Sequence, residues 1–298
     1  MNNLDHNEIG SSEILKCPFC NSSKCILRRI FFSELNRKEY RHYSCLGCGI
    51  EFFDPLIFEN VYDNEKMGAY KEFHKGRIEY PEWTKAFLKF LKEREIILSG
   101  KKILEVGMGD GINFLALGEN FNISSKDFFG IELDKKSIEV CKRRKVENIF
   151  QDFFNKEILV RIKEKFDFII VTEVLEHQTS PRDFMDTIFK LLKKDGTIII
   201  TVPNRERFFL RFREYGDVPP HHFLRFDKSF FENNFKKDLI YLKDYSFNNK
   251  NLKNSCKALS EKIFRNEKKY ILFFPIVLIL RILDAIRGEG IIAVIKKN

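Results

Sequence analysis

Four cysteines form two C-x-x-C pairs, Cys17-Pro-Phe-Cys20 and Cys45-Leu-Gly-Cys48, about two dozen residues apart. Each pair can turn two sulfurs to one side of a tight loop. Two such knuckles complete the tetrahedron of a four-thiolate Zn2+ site, with no position left for a catalytic water. Cys25 lies close by but fits neither knuckle. A second chemical stretch is Lys101 to Gly111, K-K-I-L-E-V-G-M-G-D-G, where an apolar run ends in Glu105 and three alternating glycines, Gly107, Gly109 and Gly111. Glycine lets a backbone turn sharply and approach a ligand with no Cβ in the way. A helix opening near Gly111 would aim its free N–H groups at that ligand. Ile112 occupies the place where a dinucleotide fingerprint has its third glycine, which argues against NAD or FAD. The third set is imidazole: His177, in Glu173-Val-Leu-Glu-His, and the adjacent pair His221 and His222. Histidine is close to neutral at physiological pH and is a ready proton acceptor. For His177 a structural histidine bonded to loop backbone competes with that role. The His221–His222 pair could bind a metal, but no carboxylate at a suitable sequence spacing supports it.

These residues need a parallel sheet to bring them together. Ile103, Leu104 and Val106 read as a buried strand, Asp127 to Leu133 as a second ending at Glu132, and Val146 to Phe153 as a third ending at Asp152. Asp134 predicts an N-cap for the helix that follows. Lys165 to Asn204 gives strand, loop, a helix opening near Pro181, a K-D-G turn and a further strand, the order of a doubly wound sheet. Glu132, Thr172 and Glu173 therefore fall at carboxyl ends of strands, the edge where open α/β sheets place ligands. Cys25 to Phe32 and Glu39 to Ser44 read as strands of a small β-ribbon between the knuckles.

The words E-V-G-M-G-D-G, F-D-F-I-I, E-V-L-E-H, K-D-G-T-I-I-I-T-V-P-N and P-P-H-H closely resemble the ubiquinone-biosynthesis-like, type 23 branch of the class I S-adenosylmethionine-dependent methyltransferases. The resemblance covers roughly Lys101 to Phe235. It implies a Rossmann-like, seven-stranded α/β sheet flanked by helices, here joined to an N-terminal β zinc ribbon. It implies S-adenosylmethionine as cofactor beside a structural Zn2+. Glu105, Gly107, Gly109 and Gly111 would then form the cofactor turn, and Glu132 with Leu133 would meet the ribose. Asp152 would meet the adenine amino group, Phe153 would flank the ring, and Thr172 and Glu173 would lie near the methionine moiety. His221 and His222 would face the substrate. Helices before the first motif often cover the cofactor in such enzymes, a role for which Tyr70 and Tyr80 are candidates beside ordinary packing.

The chain has 298 residues, room for one large domain and a small module. The expected division is a zinc ribbon over 1–60 and a transferase domain over 61–298, with a helical cover over 61–100 and a basic, apolar helical insertion near 250–288. Phe is abundant at 32 residues but scattered, as core packing requires. The net charge of +9 lies wholly in the last third, where 20 Lys and Arg from Asn204 onward face 11 Asp and Glu. The ribbon, in contrast, carries seven basic and eight acidic residues over Met1 to Asn60. A polar Met1 to Leu15 shows no signal-peptide core, and the apolar run Ile271 to Leu280 is too short to span a bilayer. The expected location is cytoplasmic, where the cysteines stay reduced or metal-bound. Residues 270–287 could make peripheral contact with an anionic membrane, or pack across a homodimer.

The leading expectation is methyl transfer to a small or lipid-carrier-linked metabolite, with a sugar or polysaccharide precursor as the favoured class. One alternative is an RNA methyltransferase that reads nucleic acid with the ribbon, against which the ribbon's balanced charge counts. Another is a non-catalytic zinc-ribbon adaptor, against which the intact glycine turn and acids count.

Overall fold

The computed structural model describes residues 15–59, 68–207, 217–246, 256–257, 260, 265 and 267–298. Tyr62, Tyr215, Gly216 and most of the expected insertion between 250 and 266 lie outside the described residues, as does the side chain of Tyr70.

Three antiparallel strands form the N-terminal ribbon: β1 (Cys25–Ser33), β2 (Lys38–Cys45) and β3 (Glu51–Asp54). Helices α1 (Gly68–Lys75) and α2 (Glu82–Glu93) follow. The sheet then begins with β4 (Ile103–Val106), α3 (Ile112–Phe121), β5 (Phe128–Glu132), α4 (Lys135–Arg143) and β6 (Asn148–Gln151). The chain continues through α5 (Ile158–Arg161), β7 (Phe166–Thr172), α6 (Pro181–Leu191) and β8 (Leu192–Pro203). It closes with β9 (Leu224–Arg225), α7 (Lys228–Phe235), β10 (Leu239–Tyr245), α8 (Phe274–Arg287) and β11 (Gly290–Lys296).

The seven-stranded sheet has the order β10-β11-β8-β7-β4-β5-β6. Strands β4, β5, β7 and β8 pair in parallel, and β11 enters antiparallel between β8 and β10. Central strands β4 and β5 are buried on every residue, which is why the sequence shows runs of apolar side chains rather than alternation. Strand order reverses around β4, between β5 on one side and β7 on the other. That crevice is the ligand position of a doubly wound sheet.

The K-D-G turn expected before the last parallel strand is absorbed into β8. Phe166 pairs with Leu192 but Phe168 with Thr197, so the intervening residues loop out as an irregularity with Asp195 at φ 62°. Asp134 caps α4, accepting from the amides of Lys136 and Ser137, as its place in the sequence predicts.

The ribbon does not stand apart. Its sheet takes a fourth strand from the transferase part, in the order β1-β2-β3-β9. Phe19, Tyr40, Phe52 and Phe53 of the ribbon share one core with Phe223, Phe226, Phe230 and Phe231. Each such buried aromatic removes a large apolar area from water, worth roughly 1.5–3 kcal/mol. This joint core explains part of the high Phe content. Among the described residues, no helix is long and apolar enough to cross a membrane.

Candidate active site

The glycine turn is built from two strands at once. The amides of Gly107 and Met108 donate to the carbonyl of Ile131 on β5, which pins the turn to the neighbouring strand. Gly107 sits at φ 69°, and a Cβ there would lie 2.5 Å from Val174 Cγ2, so any other residue would be strained and would displace Val174. Gly109 donates its amide to Glu132 Oε2 at 2.8 Å. The other oxygen of Glu132 accepts from the amides of Leu133 at 2.7 Å and Asp134 at 2.9 Å. Burial pushes this carboxyl up, and the three amide donors oppose that shift.

Glu105 is 1% exposed at the foot of the turn. Asn113, in the first turn of α3, donates to Glu105 Oε1 and to Thr172 Oγ1 at 3.1 Å, while its own oxygen accepts from Thr84. Burial raises the Glu105 carboxyl to about 8, and its Oε2 has no partner. On the far side of the turn, fully buried Asp110 accepts from the amide and guanidinium of Arg77, and Arg144 donates to its carbonyl. Arg77 lies over the rings of Phe73 at 4.2 Å and Trp83 at 5.6 Å. These three residues, with Phe58, wall a pocket of about 340 Å³, inside the roughly 300–1,000 Å³ usual for small ligands.

The same pocket runs from Glu105, Gly107, Gly109, Glu132, Leu133, Asp152 and Phe153 to Thr172, Glu173, His177, His221 and His222. All the residues expected from the sequence at the cofactor and substrate ends therefore line one cavity, except Gly111. Gly111 instead caps α3 at φ 72°, where a Cβ would press on Cys141 Sγ at 3.2 Å. Asp152 is tied to Arg161 and accepts the amide of Phe153 at 2.8 Å. Tyr80 is no cover: its hydroxyl turns to Glu119, and Phe58, Phe73 and Trp83 occupy the pocket wall instead.

The pocket fits S-adenosylmethionine. The buried, unpartnered Glu105 Oε2 offers an acceptor to a cationic ligand, and at Gly107 the cradle leaves no room for a Cβ beside Val174. Asp152 and Glu132 place further carboxylate oxygens along one wall.

At the other end three imidazoles meet, with ring centroids 4.5–4.6 Å apart. His177 Nδ1 lies 2.7 Å from the carbonyl of His221, so Nδ1 carries the proton and Nε2 keeps its lone pair. His222 Nδ1 faces Asp217 Oδ1 at 3.2 Å, which leaves Nε2 of that ring as the acceptor too. Arg207 pairs with Asp217 and holds its carboxyl well below the usual carboxylate range. Burial lowers all three histidines, His177 to about 3. His177 is thus bonded to loop backbone through Nδ1, as the structural reading expects, and also lines the pocket.

A carboxylate remote in sequence from the His221–His222 pair, that of Glu176, lies beside the histidines. Its Oε1 lies 3.9 Å from Nε2 of both His177 and His222, and neither of its oxygens has a hydrogen-bond partner. The ligand atoms of His177, His221 and His222 lie within 4.8 Å of one another. Glu173 stands at φ 54° and accepts from the Tyr245 hydroxyl at 2.8 Å, and burial raises its carboxyl to about 7.

The ribbon's cysteines also converge. Cys17 and Cys48 sulfurs are 3.6 Å apart and those of Cys20 and Cys45 3.5 Å, all four within 4.8 Å. Zn–S bonds of about 2.3 Å in a tetrahedron place sulfurs roughly 3.8 Å apart. The set therefore fits a four-thiolate Zn2+. Cys25 stays outside it, its thiol turned to the carbonyl of Ser22.

Asn113, Arg77, Asp110, Asp217 and Glu176 were not singled out by sequence reasoning. Asp110, inside E-V-G-M-G-D-G, and Glu176, inside E-V-L-E-H, stand within quoted motifs, and Asp217 lies two residues before P-P-H-H. Asn113 and Arg77 are ordinary helix and loop residues in sequence terms.

A family model described as "Methyltransferase domain" matches residues 74–237. The ubiquinone biosynthesis O-methyltransferase of Actinobacillus pleuropneumoniae is 30% identical over 127 residues, 40% of this chain and 52% of that protein. Its Coxiella burnetii counterpart is 31% identical over 121 residues, 40% of this chain and 50% of that protein. The matches thus span about half the length of these curated relatives. Among solved structures, the plantazolicin methyltransferase BamL, in complex with a triazolic desmethylPZN analog and SAH, aligns with a TM-score of 0.52. That alignment has 16% identity and covers 80% of this chain and 92% of BamL. A putative methyltransferase in complex with the Haloferax volcanii Trm112 methyltransferase activator aligns with a TM-score of 0.51 and 14% identity, covering 78% of this chain and 97% of that one. Both likenesses concern the fold.

Proposed function

This chain belongs to the methyltransferase-domain family, and from that premise we propose that it transfers a methyl group from S-adenosylmethionine to a hydroxyl of a small or carrier-linked metabolite. The observation that carries the reading is the continuity of one pocket, from the glycine turn and its acids to three neutral imidazoles. When bound, S-adenosylmethionine supplies an electrophilic methyl on a leaving group already positively charged. What remains for the protein is alignment, exclusion of water and a place for the acceptor's proton.

Gly107, Gly109 and Glu132 would hold the cofactor's nucleoside half, and Phe58, Phe73 and Trp83 would keep water from it. Orientation alone can supply on the order of 7–11 kcal/mol in favourable cases. His222 is the group we assign as proton acceptor, because Asp217 fixes its tautomer and would stabilise the imidazolium that forms. A positioned base of this kind contributes roughly 10²–10⁴-fold.

The curated relatives are named for O-methylation in ubiquinone biosynthesis. That supports a hydroxyl acceptor and moves the reading away from a sugar precursor. Fold itself fixes no substrate.

A second reading is favoured by Glu176. Its unpartnered oxygens and the Nε2 atoms of His177 and His222 form a donor set that a divalent cation would satisfy, lowering the acceptor hydroxyl's pKa in place of a base.

The deciding experiment incubates protein and labelled S-adenosylmethionine with fractionated cell extract, using Gly107→Arg as control. Label in an alkali-stable ether within the small-molecule or lipid-linked fraction is the expected result. Label in RNA would overturn it in favour of nucleic acid, and no label above the control would favour the adaptor. Dependence of transfer on added Mg2+ or Mn2+ would select the metal reading over the base.

A further inference from the structure

The ribbon's strand β3 is hydrogen-bonded to the segment that carries the histidines. Phe52 pairs with Leu224 and Glu51 with Arg225, and the amide of Phe53 donates to the carbonyl of Phe223 at 2.9 Å. Phe223 in turn donates its own amide to the carbonyl of Glu176 at 2.9 Å. One peptide strand thus links the ribbon, the His221–His222 pair and the E-V-L-E-H loop.

Side chains repeat the link. Arg225 donates through Nε and Nη2 to the carbonyl of Asp217 at 3.1 and 2.9 Å, closing the loop that carries both histidines. The same guanidinium lies 5.1 Å from the ring centroid of Phe53. Asn234 donates to the carbonyl of Cys48 at 2.9 Å, and Arg205 to that of Gly49 at 2.5 Å, so the second knuckle is gripped directly. Arg182 does the same for the first knuckle, donating to the carbonyl of Phe19 at 2.6 Å. Beyond β3, Phe58 reaches the cofactor end and meets Phe153 edge-on at 5.3 Å.

We propose that the four-cysteine ribbon braces the transfer pocket, its strand β3 positioning His221 and His222 by strand addition, rather than being a module that reads nucleic acid or another partner. The proposal rests on the transfer reading above for its functional consequence, but its structural half stands without it. The β3 edge is already covered by β9, so the edge strands of the four-stranded sheet are β1 and β9 itself. Arg225 is the positioning residue: it touches both ribbon and histidine loop and itself lines no part of the main cavity.

Two measurements on the full chain test this. Hydrogen exchange is compared between wild-type protein loaded with Zn2+ and the Cys45→Ser/Cys48→Ser variant, following peptides over 217–226 and over the core strand 128–132. Exchange at 217–226 is expected to rise at least tenfold while 128–132 stays protected. This readout needs no acceptor, so it can succeed where the transfer reading fails. Unchanged protection at 217–226 would overturn the proposal. Should both peptides lose protection, Arg225→Lys with its zinc retained decides. In that variant labelled-methyl transfer is expected to fall at least tenfold through kcat, with S-adenosylmethionine affinity within threefold of wild type. Transfer at the wild-type rate, or a loss confined to cofactor affinity, would overturn it.

Discussion

Gly109 donates its amide to Glu132 Oε2 at 2.8 Å, so the acid that ends β5 also holds the turn that ends β4. A single carboxylate therefore shapes the cofactor cradle before any ligand arrives. Glu132→Gln keeps the volume but replaces one acceptor oxygen with an NH2 that faces amide donors. A hydrogen bond to a charged group is worth about 1.5–3 kcal/mol. Affinity for S-adenosylmethionine, measured by titration calorimetry, is expected to fall roughly ten- to hundredfold, with the sheet still folded.

Gly107→Ala is the smallest change that tests the cradle itself. The added Cβ meets Val174 Cγ2 at 2.5 Å, and φ of 69° is strained for any L side chain. The expected outcome is loss of cofactor affinity by more than tenfold and a stability decrease of about 1–3 kcal/mol, read by calorimetry and by urea unfolding. Trimming Val174→Ala in the same chain relieves the clash but not the backbone strain, so recovery should be partial.

Burial raises Glu105 to about 8 and Glu173 to about 7. Each binds a proton in the folded state that the unfolded chain has released above its ordinary range near 4.5. Stability of the ligand-free protein is therefore fully supported by these groups at low pH and declines as pH rises from about 4.5 to about 8. A cationic ligand beside Glu105 Oε2 favours the carboxylate and must expel the proton. Titrations at pH 7 in two buffers of different ionisation enthalpy should show proton release on binding of S-adenosylmethionine. Equal enthalpies in both buffers would contradict the assignment.

The two ends of the pocket were unequally legible. Ile103 to Val106 and Phe128 to Glu132 are readable because a strand buried on both faces is an apolar run, and its end is marked by glycine or an acid. Cys17, Cys20, Cys45 and Cys48 declare themselves by spacing alone. The grouping of His177 with His222, Asp217 and Glu176 was not legible, because it depends on β9 joining a sheet whose other strands lie some 170 residues earlier. No local pattern encodes that pairing. Tyr80 and Trp83 illustrate the same limit in one helix entry: both are aromatic in sequence, and only the helix's docking turns one to Glu119 and the other to the pocket.

The proton acceptor offers the sharpest test of chemistry at the histidine end. Asp217 orients His222 through Nδ1, and Arg207 keeps Asp217 ionised, so the lone pair on His222 Nε2 faces the pocket. Burial lowers His222 while Asp217 opposes the shift, which keeps the ring neutral and receptive across the physiological range. His222→Ala should lower kcat by about 10²–10⁴-fold and leave affinity for S-adenosylmethionine near wild type, since the residue sits beyond the acids of the cradle. Asp217→Asn removes the charge that stabilises the imidazolium and should cost nearly as much. The two losses should not add, because the side chains act as one unit. In wild type the acidic limb of the kcat profile is expected below the ordinary histidine value of 6.5, and in Asp217→Asn it should move lower still. A kcat that depends on added Mg2+ or Mn2+ and collapses when Glu176 is changed to Gln would instead assign the step to a bound cation, with Glu176 and the Nε2 atoms of His177 and His222 then serving as ligands.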